Sequence, residues 1–119
     1  MIQKSSILIP SDKSGVQIVK VFHLYKGFSR KIAYFGDFVK VSVKDVKIGS
    51  VLLKKAKPKS LVIRTKNQIY KNDGCSIKFF INNSILLKKR TTSFGKRMYG
   101  PILKNIKRKK LIASFSKIL

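Results

Sequence analysis

The residue types in this chain that can do chemistry are lysine and arginine, and they act through charge. Of 119 residues, 28 are Lys or Arg, four are Asp and none is Glu, for a formal net charge of +24. An ammonium group neutralises a phosphate as a point charge, and a guanidinium adds planar, bidentate contacts. The cations expected to meet phosphate are Lys13, Lys26, Arg30, Lys31, Lys54, Lys55, Lys57, Lys88, Arg90, Lys96, Arg97, Lys107, Arg108 and Lys109. The runs 88–90 and 107–110 act best as groups. Tyr25, Phe28, Tyr34 and Phe94 lie among basic loop residues, where aromatic rings can stack on unpaired bases.

Other chemistry is missing. General acid–base catalysis needs two titratable groups with separated pKa values in one site. The carboxylates are Asp12, Asp37, Asp45 and Asp73, and three of them stand beside or near glycine, as turn residues do. His23 has no nucleophile partner in the sequence and reads as a structural or RNA-facing histidine. Cys75 is the only cysteine, so no internal disulfide forms, and a buried strand thiol is expected. No Cys/His set has metal-ligand spacing, and no phosphate-cradling glycine loop precedes a helix. The expectation is a non-enzyme without metal or cofactor.

Two dozen uncompensated charges on a domain this small oppose compaction. Two like charges about 4 Å apart in water repel by only about 1 kcal/mol, but four aspartates cannot balance 28 cations. A polyanion can, and the phosphate backbone is the common one. An anionic membrane is the alternative. No stretch approaches the roughly 20 apolar residues of a spanning helix, and no long basic amphipathic helix is evident. Nucleic acid is therefore the expected partner, and no membrane.

The elements that position these groups read as strands. The hydrophobic fraction, 44%, supplies one modest core. Ile7 to Ile9 form a short strand ended by Pro10, and a turn follows at Ser11–Gly15. Val16 to Tyr25 form a second strand. Lys26 to Gly36 is a basic loop. From Phe38 to Val46 the alternation is clear, with Val39, Val41 and Val43 facing the core and Lys40 and Lys44 outside. Lys47 to Lys59 is a lysine-rich linker in which Val51–Leu53 is expected to pair as a short ribbon. Leu61–Ile63 is a compact apolar run. Cys75, Ile77, Phe79 and Ile81 alternate as a strand, with Phe80 expected to be covered, and Ser84–Leu87 is a further strand. Asp73-Gly74 turns between the runs. Five or six short strands with Gly and Asn turns predict a small closed β-barrel. Pro101 suits the first turn of a helix, and Leu111 to Leu119 carry helical spacing.

Three segments resemble one known family. Ser60, Leu61–Ile63, Asp73-Gly74, Phe79, Asn82 and Ile85-Leu86 follow the signature of the fourteenth large-subunit ribosomal protein, the L-fourteen family. Ser60 stands where that family has Ala or Gly, and Ile85 where it has Val. Ser11–Val16 resembles its D-N-S-G-A turn, and Gly95–Pro101 resembles its G-T-R-I-F-G-P loop. The likeness runs over nearly the whole chain. It implies a mainly β protein: a five-stranded barrel with an extended basic loop or ribbon and short C-terminal helices. The chain would be a single ribosomal-protein domain, residues 1–119, with the barrel over about 1–88 and the basic loop and helices over about 89–119.

The resemblance also implies a function: a structural, non-catalytic constituent of the large ribosomal subunit that binds ribosomal RNA at the subunit interface. The implied partners are large-subunit RNA, small-subunit RNA across an intersubunit bridge, the nineteenth large-subunit protein and a ribosome-silencing factor. The silencing factor is docked in the family by the G-T-R-I-F-G loop, matched here by Arg97, and by a C-terminal lysine whose place is taken by Ala113. Abundant Lys, Ile, Asn, Phe and Ser suit an AT-rich genome, and the start at Met1-Ile2-Gln3 shows no leader. That points to a mitochondrially encoded protein of the matrix, with a plastid or a bacterial cytoplasm as alternatives. The rival functions are a free-standing basic barrel for single-stranded nucleic acid and a small nuclease.

Overall fold

The computed structural model describes residues 1–25, 27, 29, 31–88, 92–106 and 112–119. Among the described residues nine strands form: β1 Ile7–Pro10, β2 Val16–Leu24, β3 Phe38–Val46, β4 Lys59–Arg64, β5 Ile69–Tyr70, β6 Ser76–Ile77, β7 Asn83–Leu87, β8 Pro101–Ile102 and β9 Lys117–Ile118. Five of them close a barrel in the order β1-β2-β3-β4-β7. All neighbours in it are antiparallel except β1 and β7, which run parallel and seal it. Pro10 fits this seam because the flanking N–H groups do the bonding. Ile9 N–H donates to Asn82 O at 3.1 Å, and Ser11 N–H donates to Ser84 O at 3.0 Å.

The barrel interior is narrow and filled by β-branched side chains, which pack well on a pleated wall. Val16, Val19, Val21, Val39, Val41, Val43 and Val62 lie there with Leu8, Leu24 and Leu86. β3 alternates as its sequence requires, with Val39, Val41 and Val43 at most 1% exposed. β4 and β7 do not alternate. Val62 and Leu86 point inward, while Leu61, Ile63, Ile85 and Leu87 point outward into a second core with Met98, Ile102, Ile106 and Phe115. The C-terminal segment covers that outer wall, which is why 61–63 and 85–87 are unbroken apolar runs.

Several expectations are corrected. Asp73-Gly74 does turn the chain, with Gly74 at φ +87°, but the hairpin it makes is short: β6 is two residues long and pairs only with β5. Phe80 is 94% exposed rather than covered, and Cys75 is exposed rather than buried. Ile77 and Phe79 are half-buried, and Cys75, Phe80 and Ile81 stay exposed. Val51–Leu53 makes no ribbon, since no partner strand lies beside it, and Val51 and Leu53 are exposed. Residues 55–58 run along β3 instead, through Lys55 N–H to Val43 O at 3.0 Å and Val41 N–H to Pro58 O at 3.2 Å.

Pro101 starts a strand, not a helix. β8 pairs in parallel with β9 at the C terminus. A helix would turn the Pro101 carbonyl toward an N–H four residues on; here Arg64 takes it. Extended backbone also lets adjacent Ile102 and Leu103 both be buried, at 0% and 1% exposed. Of the second expected helix, 111–119, Lys117–Ile118 is strand, and Leu111 lies outside the described residues.

Candidate nucleic-acid interface

Two loops far apart in sequence zip together and carry three cations. Lys13 N–H donates to Arg97 O at 3.1 Å, Tyr99 N–H donates to Ser11 O at 2.7 Å, and Asp12 and Met98 form a bridge between them. Gly95 allows this approach, because a Cβ there would stand 2.6 Å from the Lys13 nitrogen. Asp12 is the peg. Its carboxylate accepts the Ser14 hydroxyl at 2.7 Å and the Leu86 N–H at 3.3 Å, and it is 5% exposed. Burial pushes its carboxyl above the usual carboxylate range, and those hydrogen bonds oppose the shift. Lys13, Lys96 and Arg97 emerge from this junction exposed. Lys13, Lys47 and Tyr99 help line an adjoining groove of about 450 Å³.

Arg64 locks the same end of the barrel from below. Its Nη1 donates to Tyr99 O at 2.9 Å and Pro101 O at 3.0 Å, and its Nε donates to Asn83 Oδ1 at 3.0 Å. Burial lowers its pKa, but an arginine remains charged there. This cation is structural, not free for phosphate. Gly100, at φ +76°, passes directly over the guanidinium, where a Cβ would fall 2.1 Å from Nη1. The three segments that carry the family likeness, 11–16, 60–86 and 95–101, therefore meet at one place.

A second cationic region is the outer wall of β2 and β3. Antiparallel register sets His23 opposite Lys40, and Lys40 opposite Lys59. The segment 54–58 extends this row with Lys54, Lys55 and Lys57, all exposed. Lys54 is partly neutralised by Asp45 at 3.5 Å. That exposed pair is worth little in water, and it is the one ion pair formed among the described residues.

The remaining expected contacts are scattered. Lys31 is exposed two residues before Ala33, whose backbone pairs with Ile2. Lys88 is exposed at the end of β7, its Nζ 5.7 Å over the Phe94 ring. Phe94 itself is half-buried against the barrel core, while Tyr34 is 51% exposed. Lys26, Phe28, Arg30, Arg90, Lys107, Arg108 and Lys109 lie outside the described residues. Sequence reasoning passed over Lys40, Lys59 and Phe22. Lys40 was legible as outward-facing, but its neighbours are set by strand pairing. Among the described residues, no cluster of His, Cys or Asp can hold a metal ion, and no helix is long and apolar enough to cross a membrane.

Residues 1–119 match the family described as Ribosomal protein L14p/L23e. The chain is also similar to the large ribosomal subunit protein uL14m of Tetrahymena pyriformis, at 44% identity over 115 residues, covering 97% of each chain.

Proposed function

This chain belongs to the ribosomal protein L14p/L23e family, and from that premise we propose that it holds folded ribosomal RNA by charge neutralisation at the subunit interface. It is a structural protein of the large ribosomal subunit, of the mitochondrial type, and not an enzyme. The observation that carries the RNA-binding reading is charge. Four aspartates cannot offset 28 cations, so the excess of 24 requires an external anion. Phosphate contacts position a protein on RNA, while unpaired bases supply specificity.

The finer partners follow from the family. Large-subunit RNA takes the cations, small-subunit RNA lies across an intersubunit bridge, and the nineteenth large-subunit protein packs alongside. The loop bearing Lys96 and Arg97 matches the family's silencing-factor loop, but Ala113 stands where the family's docking lysine would be, so half of that docking site is missing. The compartment is the mitochondrial matrix, and the chain folds as one domain. Sedimentation tests this reading. In a high-salt gradient the chain should travel with large subunits at one copy each. A chain left at the top of the gradient would instead be a free-standing nucleic-acid binder.

A further inference from the structure

The outer wall of β2 carries a feature that phosphate binding alone does not explain. A regular strand exposes every second side chain, but β2 has a bulge between Val21 and His23. A bulge re-aims side chains locally. Here it turns two consecutive residues, Phe22 and His23, outward between buried Val21 and Leu24. Phe22 is 40% exposed. The His23 ring meets Tyr25 edge to face, with centroids 5.1 Å apart at 87°. Lysines surround these rings. Lys57 Nζ lies 5.8 Å from the Phe22 centroid, Lys59 Nζ lies 5.0 Å from that of Tyr25, and Lys40 is paired opposite His23.

We propose that Phe22, His23 and Tyr25, framed by Lys40, Lys57 and Lys59, form a stacking platform for unpaired nucleotides of RNA. The inference rests on the RNA-binding reading above and adds the form of RNA this face takes. Each part has a role. An exposed ring offers a π-face to any base, so recognition tolerates sequence. The Lys57 and Lys59 ammonium groups lie over the Phe22 and Tyr25 rings in the free chain; on flexible stems they swing aside as a base stacks and neutralise the phosphates that flank it. A duplex keeps its bases stacked on each other and offers the rings nothing, so the platform favours single-stranded loops over helices. Lysines packed only to cover aromatic surface would give no such preference.

The test uses the purified full chain at about 0.15 M salt. One probe is a short single-stranded RNA carrying 2-aminopurine; the other is an RNA duplex with the same number of phosphates. The wild type should bind the single strand more tightly and quench the 2-aminopurine. The double variant Phe22→Leu/Tyr25→Leu keeps apolar bulk but removes the rings. It should lose about fivefold to a hundredfold in single-strand affinity and nothing on the duplex. Phe22→Tyr/Tyr25→Phe keeps both rings and should bind like the wild type. Equal single-strand affinity in the leucine variant, or no quenching by the wild type, overturns the platform. Duplex binding would survive that result and leave RNA binding standing. Failure of the wild type to bind either RNA sinks both readings. Wild-type quenching alone decides the matter if the leucine variant does not fold.

Discussion

Strands β2 and β3 line the same barrel as β4 and β7, yet the two pairs meet the outside differently. On β2 and β3 the outward positions hold Lys20, Phe22, His23, Lys40 and Lys44. On β4 and β7 they hold Leu61, Ile63, Ile85 and Leu87, sealed by Met98, Ile102 and Phe115. One wall is closed by the chain's own C-terminal segment; the other is left cationic. Both inward faces are aliphatic, so the difference lies outside: one wall is used up in folding, and the other is the one the proposed function assigns to a partner. The closed wall stabilises a small protein that has little interior to spare. The open wall repels itself and waits for anions.

The largest expected effects break the closed wall. Ile85→Ala removes a fully buried side chain and should cost about 2–5 kcal/mol, read as a shift in the denaturant midpoint. Gly100→Ala should cost about 1–3 kcal/mol, because it strains a positive φ. It should also push Arg64 off the Tyr99 and Pro101 carbonyls. Proteolysis of the C-terminal segment should accelerate in that variant while the barrel strands stay protected.

Asp12→Asn should cost about 1–3 kcal/mol, since an amide cannot accept both the Ser14 hydroxyl and the Leu86 N–H as the carboxylate does. Its pH dependence has a definite sign. Burial raises the folded-state pKa above 3.8, so the folded chain holds the proton at pH values where the unfolded chain has lost it. Asp12's contribution to stability falls as pH rises through that window and is recovered in acid. The wild type should therefore gain on the asparagine variant as pH falls, the reverse of a salt-bridged carboxylate.

The smallest effect on stability belongs to the open wall. Lys40→Gln/Lys59→Gln should change the unfolding free energy by about 0.5 kcal/mol or less. RNA affinity should fall all the same. The slope of log affinity against log salt should shallow by about 0.7–0.9 per lysine removed. A variant that lost stability but kept its salt slope would reverse the assignment of the two walls.

The same contrast explains what was legible in the sequence. Residues 38–46 alternate because one face meets solvent, and the strand was plain from its valines and lysines. The runs 61–63 and 85–87 announced burial, but nothing local said that two different cores share them. The C-terminal helices were misread at Pro101, where helix-start chemistry yields to a buried arginine 37 positions upstream that needs a carbonyl. Cys75–Ile81 had strand periodicity, but only Ser76–Ile77 found a strand partner, and only Ile77 and Phe79 are half-buried. Among site residues, the cations of the loops could be named from composition. The bulge that exposes Phe22 and His23 depends on the pairing of β2 with β3 and leaves no local signature.

The account turns on the open wall meeting RNA in the assembled particle, and lysine labelling measures that directly. Acetylation rates of Lys40, Lys57 and Lys59 should be fast in the free chain, slow in intact large subunits and fast again after the RNA is digested. Equal rates in the free chain and the intact subunit would contradict it.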